Sequence, residues 1–466
     1  MRKIAVVCLL IILVIPATGL SAEAGKTTSK TCGRFATNLV DRCMMAGEAD
    51  DMVLSNVQWD DDGRLIPWWV DMVDSNEVDN EGDGVYIAVL DTGLLSDWES
   101  IFYDANIADE YGKGFSHTLT WDNGLGDFVW SDLEDDRGFE TKAIGNGHGT
   151  HVTSTIVGYD YGVWVRGIAP MATIIPVLVL DTWLEECPDP DYVNEEWGTE
   201  CIGGHVLFDG GTWEMVAAGI KYAADLKEDL DAPLIISMSL GGPEPEDQIE
   251  DAIDYAIDKG CIVVASAGNS GNAGMGWPGA YPDVISCGAA GWSDLFDNDY
   301  AWYYRDVPEN LKTKDSYENT WQVYLEDFSS RPNKKLGQKS FHLDVCDPGA
   351  AIVGPYQVEV GWDGTEEEWV TNGWGYYYLW GTSMSAPHVS GISALVAEDY
   401  DDFDQDDMET VLKKGAKGNP FPCSSVTALW IYSWYDPYPW YWEWTGDDWG
   451  SGFLQADQAL EAADNY

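Results

Sequence analysis

Val85-Tyr86-Ile87-Ala88-Val89-Leu90 runs without a break into Asp91-Thr92-Gly93. An unbroken apolar run with β-branched residues fits a strand covered on both faces, as in a parallel sheet. Working outward, further strand-like runs lie at Ile174–Leu180, Leu234–Met238, Ile262–Ala265 and Val284–Ile285. Between them, His151–Ile156, Trp213–Ala224 and Gln248–Ile257 carry helical patterning. Strands alternating with helices predict βαβ units, hence an α/β fold with a mostly parallel central sheet and helices on both faces. In such folds reactive groups gather at the carboxyl ends of strands. Asp91 follows one strand-like run, and Asn269 follows Val263-Val264-Ala265-Ser266-Ala267-Gly268.

Two more segments carry chemistry. In Asn146-Gly147-His148-Gly149-Thr150-His151 an imidazole is flanked by glycines where a helix opens. In Gly381-Thr382-Ser383-Met384-Ser385-Ala386-Pro387-His388, Gly381 permits close backbone approach and Pro387 suits the first turn of a helix. Apolar and small residues from Val389 to Ala397 continue that helix, so Ser383 is expected at or just before its N-terminus. Free N–H groups and the positive dipole end favour a developing negative charge there. A carboxylate, an imidazole and a hydroxyl are the parts that nucleophilic acyl transfer requires. Asp91 can accept the Nδ1–H of His148, and the Asn269 amide can donate to an oxyanion beside the Ser383 N–H. His151 reads as a packed residue. A second Asp-Thr-Gly, which an aspartic mechanism needs, is absent, as is a His-Glu-x-x-His metal motif.

The 466 residues are 45% hydrophobic, enough to bury a sizeable core. Against 81 Asp and Glu stand 24 Lys and Arg, a formal charge of −57. Phosphate binding needs a basic surface, so nucleic acid is excluded as a partner and an anionic membrane surface is disfavoured. Salt or divalent cations would screen so acidic a surface, which fits a high-salt habitat ahead of a calcium-rich or acidic extracellular one.

Arg2 and Lys3, the apolar run Ile4–Ile15 with Cys8, Pro16 and the small-x-small pattern Ala22-Glu23-Ala24 predict an export signal over 1–24 and a secreted, extracellular protein. Stable membrane insertion would require that segment to stay uncleaved. Eight further cysteines suggest disulfides, with local closure favouring Cys32 with Cys43 and Cys187 with Cys201. Cys261 and Cys287 read as buried thiols.

Taken together, these motifs resemble the subtilisin-like serine proteases, or subtilases, from about Trp68 to the C-terminus. The resemblance implies the three-layer subtilisin-like fold and a serine endopeptidase acting on proteins or peptides through a covalent acyl-enzyme. It implies Asp91, His148 and Ser383 as the triad and Asn269 as the oxyanion donor. Gly167-Ile168-Ala169-Pro170 matches another family segment. Ser239, Leu240 and Gly241, within Ser237–Gly242, match the strand that pairs with extended substrate. Gly276, in Gly276-Trp277-Pro278-Gly279, matches the base of the primary specificity pocket, which a glycine leaves roomy. No cofactor is required for catalysis, and structural calcium is compatible with the family although no ligand set emerges. The alternatives are an inactive subtilase-like binding scaffold or a narrow-specificity processing protease.

The interval 25–56 is expected as a short extension or leader, shorter than a typical subtilase pro-domain, with the catalytic domain over 57–466. Insertions or surface loops are expected near 99–142, 182–212, 292–326 and 358–380. The acidic run Asp399–Asp407 reads as a solvated turn between helices, with Asp406 and Glu409 as a capping box. The aromatic stretch Trp430–Trp444 reads as a locally packed loop.

Overall fold

The computed structural model describes residues 57–142, 144–194, 198–292, 302–303, 307, 323–357, 373–417 and 443–466, plus the backbone of short strands at 6–7, 43–45, 312–314, 320–322, 361–362, 369–370, 425–430 and 438–442. Apart from two such strands, the expected export segment and the leader lie outside these residues. So do much of 292–326 and 358–372, and most side chains of the aromatic stretch.

The central sheet is built on β1 (Tyr86–Asp91), the strand expected from the opening run. Its other members are β2 (Lys113–Gly114), β3 (Thr173–Leu178), β6 (Leu234–Met238), β7 (Ile262–Ser266), β8 (Ile285–Trp292), β9 (Lys312–Lys314), β10 (Thr320–Leu325) and β11 (Val345–Pro348). The spatial order is β9-β10-β8-β7-β6-β1-β3-β2, with β11 also on β8. The seven strands β1, β2, β3, β6, β7, β8 and β11 pair in parallel, and only the β8–β10–β9 edge is antiparallel.

Alternation along each strand divides the core into two layers. Ile87 and Val89 share a core cluster with the short α1 (Trp68–Met72) and pack with Val152 and Ile156 of α2 (His148–Val157) and with Val389 and Ile392 of α5 (Thr382–Asp399). Ala88 and Leu90 turn to the other face and pack with Val216 and Ile220 of α3 (Trp213–Leu230) and Ile249 and Ile253 of α4 (Asp247–Asp258). Helices therefore cover both faces, as the sequence predicts. Residues 382–397 of α5 are all buried, so the helix runs through the core rather than over it.

Several local expectations are corrected. The segment 182–212, expected as an insertion or surface loop, contains two paired strands. β4 (Asp181–Glu186) and β5 (His205–Thr212) pair antiparallel, with Trp183, Val206 and Phe208 buried. Cys261 and Cys287 are buried thiols as expected, but Cys187 and Cys201 also stand as separate thiols rather than linked. Pro387 lies in the second turn of α5, not the first. Its missing N–H frees the Ser383 carbonyl, which instead accepts from Ser239 Oγ at 2.7 Å.

The turn after α5 is solvated, but its cap is displaced. Helix α6 (Gln405–Lys417) is capped by Asp404, whose Oδ1 accepts from Asp407 N at 2.9 Å. Gln405 fixes this start. Its side chain is buried against β7, accepting from Val263 N at 2.8 Å and donating to Val263 O at 3.1 Å. Asp406 is thereby drawn into the helix's first turn.

Candidate active site

Asp91 closes β1 and is completely buried. Both its oxygens face His148 Nδ1, at 2.8 and 2.9 Å, and Oδ1 also accepts from Thr92 N at 2.7 Å. A carboxylate so placed keeps the Nδ1 proton on the imidazole and leaves Nε2 as the basic nitrogen. His148 is the first residue of α2, where its backbone N–H donates to Asn146 Oδ1 at 3.1 Å.

The two motifs meet at a backbone contact that only glycine allows. Gly149 N–H donates to Thr92 Oγ1 at 2.9 Å, and a Cβ on Gly149 would stand 2.4 Å from Gly93 O. Gly93 itself has φ +78°, and a Cβ there would strike Phe139 O. Asp-Thr-Gly and Gly-His-Gly are thus complementary surfaces, which brings carboxylate and imidazole into register.

Ser383 is the second residue of α5, and α5 packs against α2. Its hydroxyl donates to Ser239 O at 3.2 Å, while His148 Nε2 is buried with no hydrogen-bond partner. The Asp–His contact is therefore made in this structure and the Ser–His contact is not. Asn269 stands beside the helix start: its Oδ1 accepts from Thr382 N at 2.9 Å and from Thr382 Oγ1 at 3.0 Å. The amide's donors lie at the opposite end. A Cβ on Gly381 would sit 3.4 Å from Asn269 Nδ2 and 3.6 Å from Ser383 N, so the glycine keeps open the space between two donors.

Residues 82–428 match the family model described as the subtilase family. The chain belongs to the subtilase family. It is similar to thermitase from Thermoactinomyces vulgaris, at 29% identity over 320 residues covering 68% of this chain and 76% of thermitase. It is also similar to subtilisin DY from Bacillus licheniformis, at 26% identity over 344 residues covering 72% and 86% of the two chains. Among solved structures, the S41 psychrophilic protease shares the fold, with a TM-score of 0.51, 23% identity, and coverage of 84% of this chain and 97% of that one. As a subtilase the protein is a serine-type endopeptidase.

The substrate-strand and pocket residues expected from sequence lie in segments bonded to the Ser383 and Asn269 regions. Ser239, Leu240 and Gly241 follow the carboxyl end of β6 and are buried. Gly276 N–H donates to Ala267 O at 2.9 Å, two residues before Asn269, and Gly242 and Trp277 exchange backbone hydrogen bonds at 2.8 and 3.0 Å. The Ser239 and Gly276 segments are thus tied to each other and to the Asn269 loop. His151 is packed, as expected. Its Nε2 lies 3.2 Å from Ile352 O and 3.3 Å from Tyr377 O, and burial pushes its pKa down to about 3.

Sequence reading overlooks three supporting residues. Thr382 fixes the Asn269 amide and also accepts from Gly268 N at 3.0 Å. Thr92 and Asn146 hold the two sides of the Asp–His contact. Each lies inside a quoted motif, so the signal was adjacency to the reactive residue. Among the described residues, no cluster of three or more His, Cys, Asp or Glu is placed to hold a metal ion. No described helix is long and apolar enough to cross a membrane.

Proposed function

We propose that this subtilase cleaves peptide bonds by acyl transfer to Ser383. The supporting observation is the fully buried Asp91 bonded to His148 Nδ1 through both oxygens, with α5 and its Ser383 packed on the helix that carries His148. Rotation of the Ser383 hydroxyl from Ser239 O toward His148 Nε2 forms the attacking pair. Catalytic hydrogen bonds of this kind often tighten only when substrate binds. His148 takes the proton as Ser383 Oγ attacks the scissile carbonyl, then delivers it to the leaving amine. Asp91 orients the imidazole and stabilises its charged form. Asn269 Nδ2 and the Ser383 N–H donate to the tetrahedral oxyanion. Water then resolves the acyl-enzyme.

Substrate lies extended along Ser239–Gly241, adding a strand, and its side chain enters a pocket based on Gly276. Nucleophile, base and oxyanion donors are all protein groups, so no metal takes part in the reaction. Any calcium is structural. The substrates are proteins or peptides. Residues 57–466 form the catalytic domain, 25–56 a short leader, and 1–24 an export signal that makes the mature protein extracellular. Intact mass and N-terminal sequencing of the mature protein check those boundaries.

The decisive experiment is Ser383→Ala, assayed by casein hydrolysis and fluorophosphonate labelling. Both are expected to vanish, and persistence of either refutes the assignment.

A further inference from the structure

The helix that carries His148 starts without the usual cap. A helix N-terminus leaves N–H groups unmatched, and a Ser, Thr, Asp or Asn side chain at the cap position ordinarily accepts from one of them. The cap position of α2 is Gly147, which makes no such bond. A larger residue does not fit there, because a Cβ on Gly147 would stand 2.4 Å from Gln357 N. The duty passes one residue back. Asn146, only 3% exposed, accepts from His148 N at 3.1 Å through its Oδ1. Of the two ends of an amide only the oxygen accepts, so the bond depends on which way the Asn146 side chain is turned.

Asp209 sets that orientation. Asn146 Nδ2 donates to Asp209 Oδ2 at 3.0 Å. A carboxylate accepts and does not donate, so it selects the NH2 end of the amide and leaves the oxygen for His148. Asp209 is aimed in turn. It lies on β5 directly opposite Thr182 of β4, and its Oδ1 accepts from Thr182 Oγ1 at 2.8 Å. Thr182 N donates to Asp181 Oδ1 at 2.8 Å, and the buried Asp181 is held by Arg137 Nε at 3.1 Å and Lys142 Nζ at 3.0 Å. A Cβ on Gly145 would lie 3.4 Å from Thr182 Oγ1, so the base of the hairpin stands against the loop that leads into His148. The hairpin therefore reaches the start of α2 through Thr182, Asp209 and Asn146 in series.

We propose that Asp209 is a positioning residue for His148, acting through the Asn146 amide. The inference rests on the reading of His148 as the general base. Without Asp209 the amide is free to turn its NH2 end toward the His148 N–H, the first turn of α2 loses its acceptor, and the imidazole drifts from the line between Asp91 and Ser383. The cost falls on the chemical step and not on substrate affinity.

The test is a double-mutant cycle on hydrolysis of a peptide anilide, with Asp209→Ala, Asn146→Ala and the two combined. Asp209→Ala should lower kcat about tenfold with KM changed less than about twofold, since a small misplacement of a reacting group suffices for such a loss. Asn146→Ala should cost as much or more. The double variant should cost no more than Asn146→Ala alone, because the two residues act in series. Losses that multiply, an unchanged kcat in Asp209→Ala, or a loss carried by KM overturns the proposal. The His148 backbone amide gives a reading that needs no turnover. In the Ser383→Ala protein made with isotope-labelled histidine, that amide signal is assigned by its disappearance in His148→Gln. It should move upfield, as for a lost hydrogen bond, in both Asp209→Ala and Asn146→Ala. A wild-type protein that neither hydrolyses substrate nor takes a fluorophosphonate label refutes the proposed reaction, and the amide signal then still decides the positioning: a signal unmoved by Asp209→Ala overturns it. Should Asp209→Ala fail to fold, Asp209→Leu, similar in shape and without an acceptor, takes its place in both measurements.

Discussion

Asp91 meets His148 Nδ1 with both carboxylate oxygens, at 2.8 and 2.9 Å, and both side chains are fully buried. The contact fixes which imidazole nitrogen is basic. Asp91→Asn preserves the shape but presents an amide where a carboxylate must accept, so the imidazole is held in the wrong tautomer. Loss of about 10⁴ in kcat is expected at neutral pH, with KM changed much less. Steady-state hydrolysis of a peptide anilide measures both; a loss under tenfold is inconsistent with this role.

The Asn269 amide is aimed by Thr382, which donates twice to its Oδ1. Asn269→Ala should lower kcat on the order of 10²–10³-fold with little effect on KM, the range known for a subtilisin's own oxyanion asparagine. Thr382→Val removes the hydroxyl donor but keeps the backbone one. Its expected cost is about tenfold in kcat, the equivalent of one ordinary hydrogen bond. A Thr382→Val effect confined to KM would show that the residue does not aim the amide.

What was legible from sequence follows from what hydrophobic patterning can register. Val85–Leu90 announced its strand because every position is apolar and both faces are covered. Patterning marks β8 only at Val284–Ile285, yet the strand runs from Ile285 to Trp292. Its continuation Ser286-Cys287-Gly288-Ala289-Ala290-Gly291 is made of small residues with weak hydrophobic signal. The reason is close packing: a Cβ on Gly288 would meet Cys346 Sγ at 2.7 Å, and one on Gly291 would meet the Tyr324 ring at 2.4 Å. The β4–β5 hairpin was hidden by Asp181, Glu185 and Glu186, whose charges broke the apolar alternation of Trp183, Val206 and Phe208. The candidate site residues stand out in the sequence because local backbone demands surround each with glycine.

His151 and His388 are fully buried, and burial lowers the pKa of each to about 3. The neighbouring His148 pushes His151 further in the same direction. An unfolded chain takes up these protons near the ordinary pKa of about 6.5. The stability they contribute is therefore complete above that pH and is lost progressively as pH falls toward about 3. His388→Gln can keep a donor toward Met384 O while removing the titration. Between about pH 4 and 6, the slope of unfolding free energy against pH should then fall by about one proton, or about 1.4 kcal/mol per pH unit. Denaturant melts of the Ser383→Ala protein across that range check it; an unchanged slope contradicts the assignment.

Asp347 works in the opposite sense. It is fully buried, and burial pushes its pKa well above the ordinary value, with only a backbone contact to Leu454 acting the other way. A raised folded pKa means that its relative stabilisation is complete below the unfolded value of about 3.9 and is lost as pH rises through the folded one. The native protein at neutral pH thus bears either a buried charge or the cost of keeping the group protonated. Asp347→Asn is nearly isosteric and never ionises. It should be the more stable protein at pH 8 by about 1 kcal/mol or more, with an advantage that shrinks as both are acidified toward pH 4. Paired melts of the two proteins, both carrying Ser383→Ala, give the difference directly. An advantage independent of pH would show that the carboxyl does not titrate against folding, and a less stable Asn variant at pH 8 would mean that an unseen partner holds the charge.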